Sequence, residues 1–169
     1  MKITDEQKQE LENIYHSFYS DKKIQKMKEI PMHRGSNCFL HSFRVAKLAV
    51  KNGLRHKSVD LKSILIASIL HDYYLYNWRD DKEKRKHHGS NHPYIASQNA
   101  SRDFGISKEV KKIIESHMWP INFKEFPETK EARIVANADS TIAFVEALTY
   151  IKYKKKRLVE YYKSIETLF

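Results

Sequence analysis

A single cysteine, Cys38, is all the thiol chemistry in this chain. An intramolecular disulfide is therefore excluded, and the composition fits a reducing compartment. Glycine and proline are nearly as scarce, at four each. Few tight turns can be built, so long uninterrupted elements are expected. No apolar run approaches the roughly 18 residues of a membrane span, and Met1-Lys2-Ile3-Thr4-Asp5 lacks the apolar stretch of a signal peptide. The expectation is a soluble, cytoplasmic protein with no membrane partner. Alternating strand patterns and internal repeats are also missing. Abundant Lys, Glu, Ala, Leu and Ile favour helices, and 169 residues suffice for one core. The expected fold is all-α, a single domain over 1–169.

What the chain has in excess is positive charge. Thirty-one Lys and Arg against 21 Asp and Glu leave a formal net charge of +10. This suits anionic partners: phosphorylated metabolites, nucleic acid or anionic lipid. The cluster Lys152-Tyr153-Lys154-Lys155-Lys156-Arg157 reads first as a solvated face. No zinc-finger, RNP or glycine-rich phosphate-loop pattern raises it to nucleic-acid recognition. Nucleic acid stays a possible but disfavoured partner, and the oligomeric state is not legible.

Helix signals recur along the chain. Thr4-Asp5-Glu6-Gln7 resembles an N-terminal cap, followed by Leu11, Ile14, Tyr15 and Phe18 at helical spacing. Ser20-Asp21 interrupts or recaps this helix, which resumes towards Pro31. Helices are expected over 39–52, with Gly53 as a C-terminal stop, and from Ser58 or Asp60 to 74. Residues 79–91 are polar and read as an exposed loop. Pro93 then starts a helix ending before Gly105, and Ser107 caps another that runs to His117. A further helix is expected over about 130–150. In a last segment, 158–169, Tyr161, Tyr162, Ile165 and Leu168 could pack on the body.

One position does not fit a plain core. His71-Asp72 closes the apolar run Ile64-Leu65-Ile66-Ala67-Ser68-Ile69-Leu70. Burying an ionised carboxylate without a partner costs several kcal/mol or more, so the charge needs compensation. An adjacent imidazole suggests a hard or borderline divalent metal. His41, His92, His117 and Asp139 lie at or near the ends of other helices, and helices converging in a bundle form metal sites from such inward side chains.

His41, His71-Asp72 and Asp139, in that order, resemble the HD-domain metal-dependent phosphohydrolases over about residues 33–145. The flanking His41-Ser42-Phe43-Arg44-Val45-Ala46 and Ala67-Ser68-Ile69-Leu70-His71-Asp72 look like that family's first two motifs. His92 and His117 look like the extra histidines of its dinuclear branch. That branch includes diadenosine tetraphosphate hydrolases, cyclic-dinucleotide phosphodiesterases and a few diiron oxygenases. The resemblance implies an HD-type helical bundle in which His41, His71, Asp72 and Asp139 hold one metal. Asp72 would bridge to a second ion on His92 and His117. It implies one or two divalent transition-metal ions, with Fe or Mn favoured and Zn, Ni or Co possible. Three departures stand out: no Gly-Tyr-Pro follows the His-Asp pair, Ser140 replaces a common lysine, and the third motif reads His92-Pro93-Tyr94-Ile95-Ala96.

The expected function is hydrolysis of a small phosphorylated compound, nucleotide-like, by metal-activated water. Asp72 would be central to catalysis, and His88 would contact substrate or transfer a proton. His33, Arg44 and Lys86 are candidates for holding the phosphate. Tyr73, Tyr74, Tyr76 and Trp78 offer either a stacking wall for a base or plain core. Two other readings compete: a diiron oxygenase on the same scaffold, and a non-catalytic module binding nucleotide or nucleic acid.

Overall fold

The computed structural model describes residues 2–32, 36–80, 82–152 and 167–169. Among them the elements are α1 (Asp5–Ser20), α2 (Lys22–Gln25), a 3-10 turn (Lys26–Glu29), α3 (Cys38–Gly53), α4 (Leu61–Leu70), α5 (Lys82–Phe104), α6 (Lys108–Ser116) and α7 (Lys130–Lys152). The described residues hold no strand, only an isolated bridge between Pro31 and Asn37. The fold is all-α.

The caps explain most of the boundaries. Thr4 accepts from the Gln7 amide while the Gln7 side chain accepts from the Thr4 amide, a reciprocal capping box. Asp21 ends α1 and starts α2, accepting from Lys23 and Ile24. Asn37, Asp60 and Ser107 cap α3, α4 and α6 in the same way, each satisfying an amide that lacks an intrahelical partner. Gly105 takes a positive φ of 60° after α5, the left-handed conformation that glycine adopts without penalty.

Helix α4 is the axis of the bundle. It packs on α3, α6 and α7, and α3 also packs on α7, while α5 lies against α6. Seven of the ten residues of α4 are buried, so this helix has little solvent face to spare for charge. Tyr15, Tyr19, Phe39 and Phe43 fasten α1 to α3, with Phe43 edge-on to Tyr15 at 5.1 Å and 4.6 Å from Phe39. Each buried aromatic contributes about 2–3 kcal/mol.

Two local expectations need correction. Residues 82–91 are helical, not a loop: α5 begins at Lys82 and carries Pro93 in its interior. Lys, Glu and Arg are good helix formers, so a polar stretch can be an exposed helix. An internal proline costs about 3 kcal/mol; burial of His92, Ala96, Ser97 and Ala100 on the inner face of α5 offsets it. Gly53 is the last helical residue, with Leu54 as the cap, and it does not terminate α3 through a left-handed turn. Its requirement is room: a Cβ there would lie 2.7 Å from Leu61 Cδ2. Of the expected last segment, Tyr161, Tyr162 and Ile165 lie outside the described residues, as does most of the basic cluster, whereas Leu168 is buried.

Candidate metal centre

The apolar surroundings of α4 end at His71, its C-cap, with Asp72 next. Both are buried, as are His41, His92 and His117. The fold brings all five together with Asp139 from α7. His41 Nε2 lies 2.9 Å from Asp139 Oδ1, and His71 Nε2 lies 3.6 Å from the same oxygen. Asp72 divides its oxygens: Oδ2 faces His71 Nε2 at 3.2 Å and His41 Nε2 at 3.9 Å, while Oδ1 faces His92 Nε2 at 3.3 Å and His117 Nε2 at 4.0 Å. One carboxylate therefore stands between two sets of donors.

Local structure fixes which nitrogen of each ring faces this space. A helix end leaves carbonyls without amide partners. His71 and His117, the C-caps of α4 and α6, use Nδ1 on carbonyls of the last turn: Ser68 O at 2.8 Å and Ile114 O, which also accepts from the His117 amide, at 2.7 Å. His92 Nδ1 donates to His88 O, one turn earlier in α5, at 2.8 Å. A carbonyl only accepts, so Nδ1 carries the proton in each ring and Nε2 presents its lone pair inward. His41 differs: its Nδ1 is 3.0 Å from Glu146 Oε2, a carboxylate.

Is a cation what this space fits? His92 Nε2 and His117 Nε2 lie 3.0 Å apart. Two lone pairs at that distance repel unless a positive charge sits with them. Both Asp72 oxygens and His71 Nε2 are buried with no hydrogen-bond partner, a costly state for a carboxylate. Three overlapping triads, His41–His71–Asp72, His71–His117–Asp139 and Asp72–His92–His117, each offer ligand atoms within 4.8 Å of one another. Imidazole and carboxylate donors suit divalent transition metals. The residues fit such ions.

The carboxylates and histidines also act strongly on one another's protonation. Burial raises the Asp72 and Asp139 carboxyls, but the surrounding histidines outweigh it and hold both well below the usual range. Burial pushes His41 down, yet Asp139 and Glu146 raise it to about 9. His117 goes the other way: burial, then the charges of His71 and His92, lower it to about 3.

The residues expected around the ions are placed less uniformly. His88 lies beside the cluster, stacked on Trp78 at 5.1 Å and on His92 at 4.5 Å, with Nδ1 3.0 Å from the Tyr76 hydroxyl. Burial, then His92, lower its pKa to about 4, so the ring is neutral at pH 7. Lys86 is exposed on the first turns of α5. His33 lies outside the described residues. Arg44 is not available as a phosphate anchor: Nη1 lies 2.6 Å from Glu146 Oε1 in a nearly buried ion pair. Tyr73 and Tyr74 are core, Tyr73 donating to Asp103 Oδ2, while Tyr76 and Trp78 are partly buried around His88.

Glu146 is the residue that sequence reasoning missed. It follows Asp139 by seven residues, two turns of α7, which puts both carboxylates on one face. That spacing was the available signal.

A family model for the HD domain matches residues 38–143, more than half of the chain. The chain belongs to the HD-domain family. Its members are generally metal-dependent hydrolases, and the buried His/Asp cluster is compatible with an HD metal site. No curated protein and no solved structure matches the chain. No helix among the described residues is long and apolar enough to cross a membrane.

Proposed function

We propose that this HD protein is a metal-dependent phosphohydrolase acting on a small phosphorylated compound, nucleotide-like in kind. The observation that carries this reading is the division of Asp72: each oxygen faces a different pair of histidine Nε2 atoms. His41, His71, Asp72 and Asp139 would hold one divalent ion, and Asp72, His92 and His117 a second. Fe or Mn is favoured, with Zn, Ni or Co as substitutes. Bound there, such ions supply Lewis acidity towards water and phosphoryl oxygens.

The chain's own residues do the rest. Backbone carbonyls and Glu146 fix the ring tautomers, so the donor atoms are preorganised. Asp72 itself is buried, 1% exposed, at the end of the apolar helix α4. His88 has Nδ1 engaged by Tyr76, and its Nε2 has no partner among the described residues. That nitrogen is placed to hydrogen-bond a substrate oxygen or take a proton. We assign Lys86, exposed on α5, and His33 to the phosphate. The net charge of +10 favours the approach of an anion.

The test is metal analysis of protein purified without oxygen, then a panel of nucleotides and phosphoesters with Mn or Fe added. The expected outcome is bound transition metal and phosphate release that Asp72→Ala abolishes. Protein free of transition metal, with turnover unchanged in Asp72→Ala, would sink the proposal. Stoichiometric oxygen consumption would replace it with an oxygenase, and salt-sensitive RNA binding without hydrolysis with a binding module.

A further inference from the structure

The four inward histidines are not held alike. His71, His92 and His117 each donate Nδ1–H to a neutral backbone carbonyl. His41 alone of the four turns Nδ1 to a carboxylate, Glu146 Oε2 at 3.0 Å. The other oxygen of Glu146 lies 2.6 Å from Arg44 Nη1 and accepts from Ser36 Oγ at 3.3 Å. Glu146 and His41 are both buried, and the Arg44 side chain is only 11% exposed. Ser36 belongs to the turn that leads into α3, closed by the Pro31–Asn37 bridge and the Cys38 amide on Ile30 O. The carboxylate, carried on α7, is therefore gripped from α3 and from Ser36 just before it.

We propose that Glu146 is a positioning residue that makes the two halves of the metal centre unequal, the half containing His41 binding its ion first and more tightly. A hydrogen bond to an ionised acceptor is roughly twice as strong as one to a neutral acceptor. It also pushes electron density across the ring and raises the basicity of the opposite nitrogen. His41 Nε2 is thereby the strongest imidazole donor of the set. Arg44 keeps Glu146 ionised and directs one oxygen away, so that Glu146 orients His41 without becoming a ligand itself. The His41 half also has Asp139 directly on its histidine, at 2.9 Å from His41 Nε2, as well as one oxygen of Asp72, whereas the carboxylate oxygen in ion-pair range of His92 and His117 is Asp72 Oδ1, at 3.3 and 4.0 Å. Donor strength and negative charge thus rank the halves in the same order.

This inference rests on the reading of the cluster as a metal site, and the experiment separates the two. Co2+ is titrated into metal-free protein, with the stoichiometry read by calorimetry and the coordination by visible absorbance. Wild type is expected to bind in two steps, and His117→Ala to lose the weaker one. Glu146→Gln is expected to weaken the tight step by about 10- to 100-fold, the usual loss on removing an outer hydrogen-bond partner, and to leave the weak step in place. Glu146→Asp, which keeps the charge on a shorter arm, is expected to recover part of the loss. Thermal unfolding of each metal-free variant shows that the protein titrated is folded, and Arg44→Lys supplies a milder test should Glu146→Gln fail to fold. Its expected result is a tight step weakened several-fold with its absorbance shifted. No Co2+ binding to wild type overturns the metal reading itself. Two steps in wild type, with the tight one unmoved in the folded variants, overturn only the role of Glu146. Equal weakening of both steps does so too, because a general loosening of the fold would act that way.

Discussion

The two halves of the buried cluster meet at Asp72, and the His71–His117–Asp139 triad also crosses between them, yet they are held in different ways. One half draws on α3, α4 and α7, helices that each pack on the other two, and is backed by Glu146 and Arg44. The other draws on α5 and α6, and its histidines are held by the carbonyls of their own helices. In the first half His41 is oriented by a tertiary contact, with Glu146, whereas both histidines of the second are oriented locally. Positions far apart in sequence, 41, 139 and 146, must come together before the first half exists. His92 and His117 carry their orienting bonds with them whenever their helices form. A site can thus combine a rigid, charge-rich seat with a simpler one joined by a single carboxylate.

The largest effect is expected where the halves meet. Asp72→Ala should lower phosphoester turnover by about a thousand-fold or more, the scale of losing several kcal/mol of transition-state charge stabilisation. Metal content should fall in both halves together. If one ion survives at wild-type affinity, Asp72 does not link them. Next come the single histidines. His117→Ala should reduce the bound metal from two ions to one and turnover by about a hundred-fold, whereas His71→Ala should remove the ion that His117→Ala keeps. Identical metal content in the two variants would erase the distinction between the halves.

Metal removal has a smaller, thermal readout. Ligand at about a thousand times its Kd adds about 4 kcal/mol to folding stability, roughly 10 °C in Tm for a chain of this size. Chelation should cost that much, and one equivalent of Mn2+ should restore most of it. Recovery split evenly between the first and second equivalents would argue for equal halves. The mildest expected change is His88→Ala. It leaves the His88 carbonyl on His92 but removes the ring stack, worth about 1 kcal/mol. Affinity of the second half should fall by a few-fold at most, read by the same titration, with the first half unaltered.

How much of this was legible depended on range. Thr4, Asp21, Asp60 and Ser107 cap helices through bonds spanning two or three residues, so the sequence shows them directly. His71-Asp72 was readable because a histidine and an aspartate are unusual at the end of an apolar run, and His41, His92, His117 and Asp139 because their order around that pair resembles a known family. Helix α5 was misread because polarity was taken for a loop, and because the penalty of Pro93 is countered by packing that no local window displays. Gly53 was read as a backbone device when its reason is Leu61, eight residues on across a turn. Arg44 and Glu146 lie a hundred residues apart. No local pattern links them; only the fold closes one on the other.

Helix α7 holds Asp139 and Glu146 two turns apart, and they meet opposite nitrogens of the same imidazole. The helix is thus a ruler with two marks, and His41 reads both. Inserting a single residue between 139 and 146 would carry one mark about 100° around the axis while leaving the other in place. No choice of side chain at the inserted position could bring them back into line. The segment should therefore tolerate substitution on its outer face far better than any change in its length.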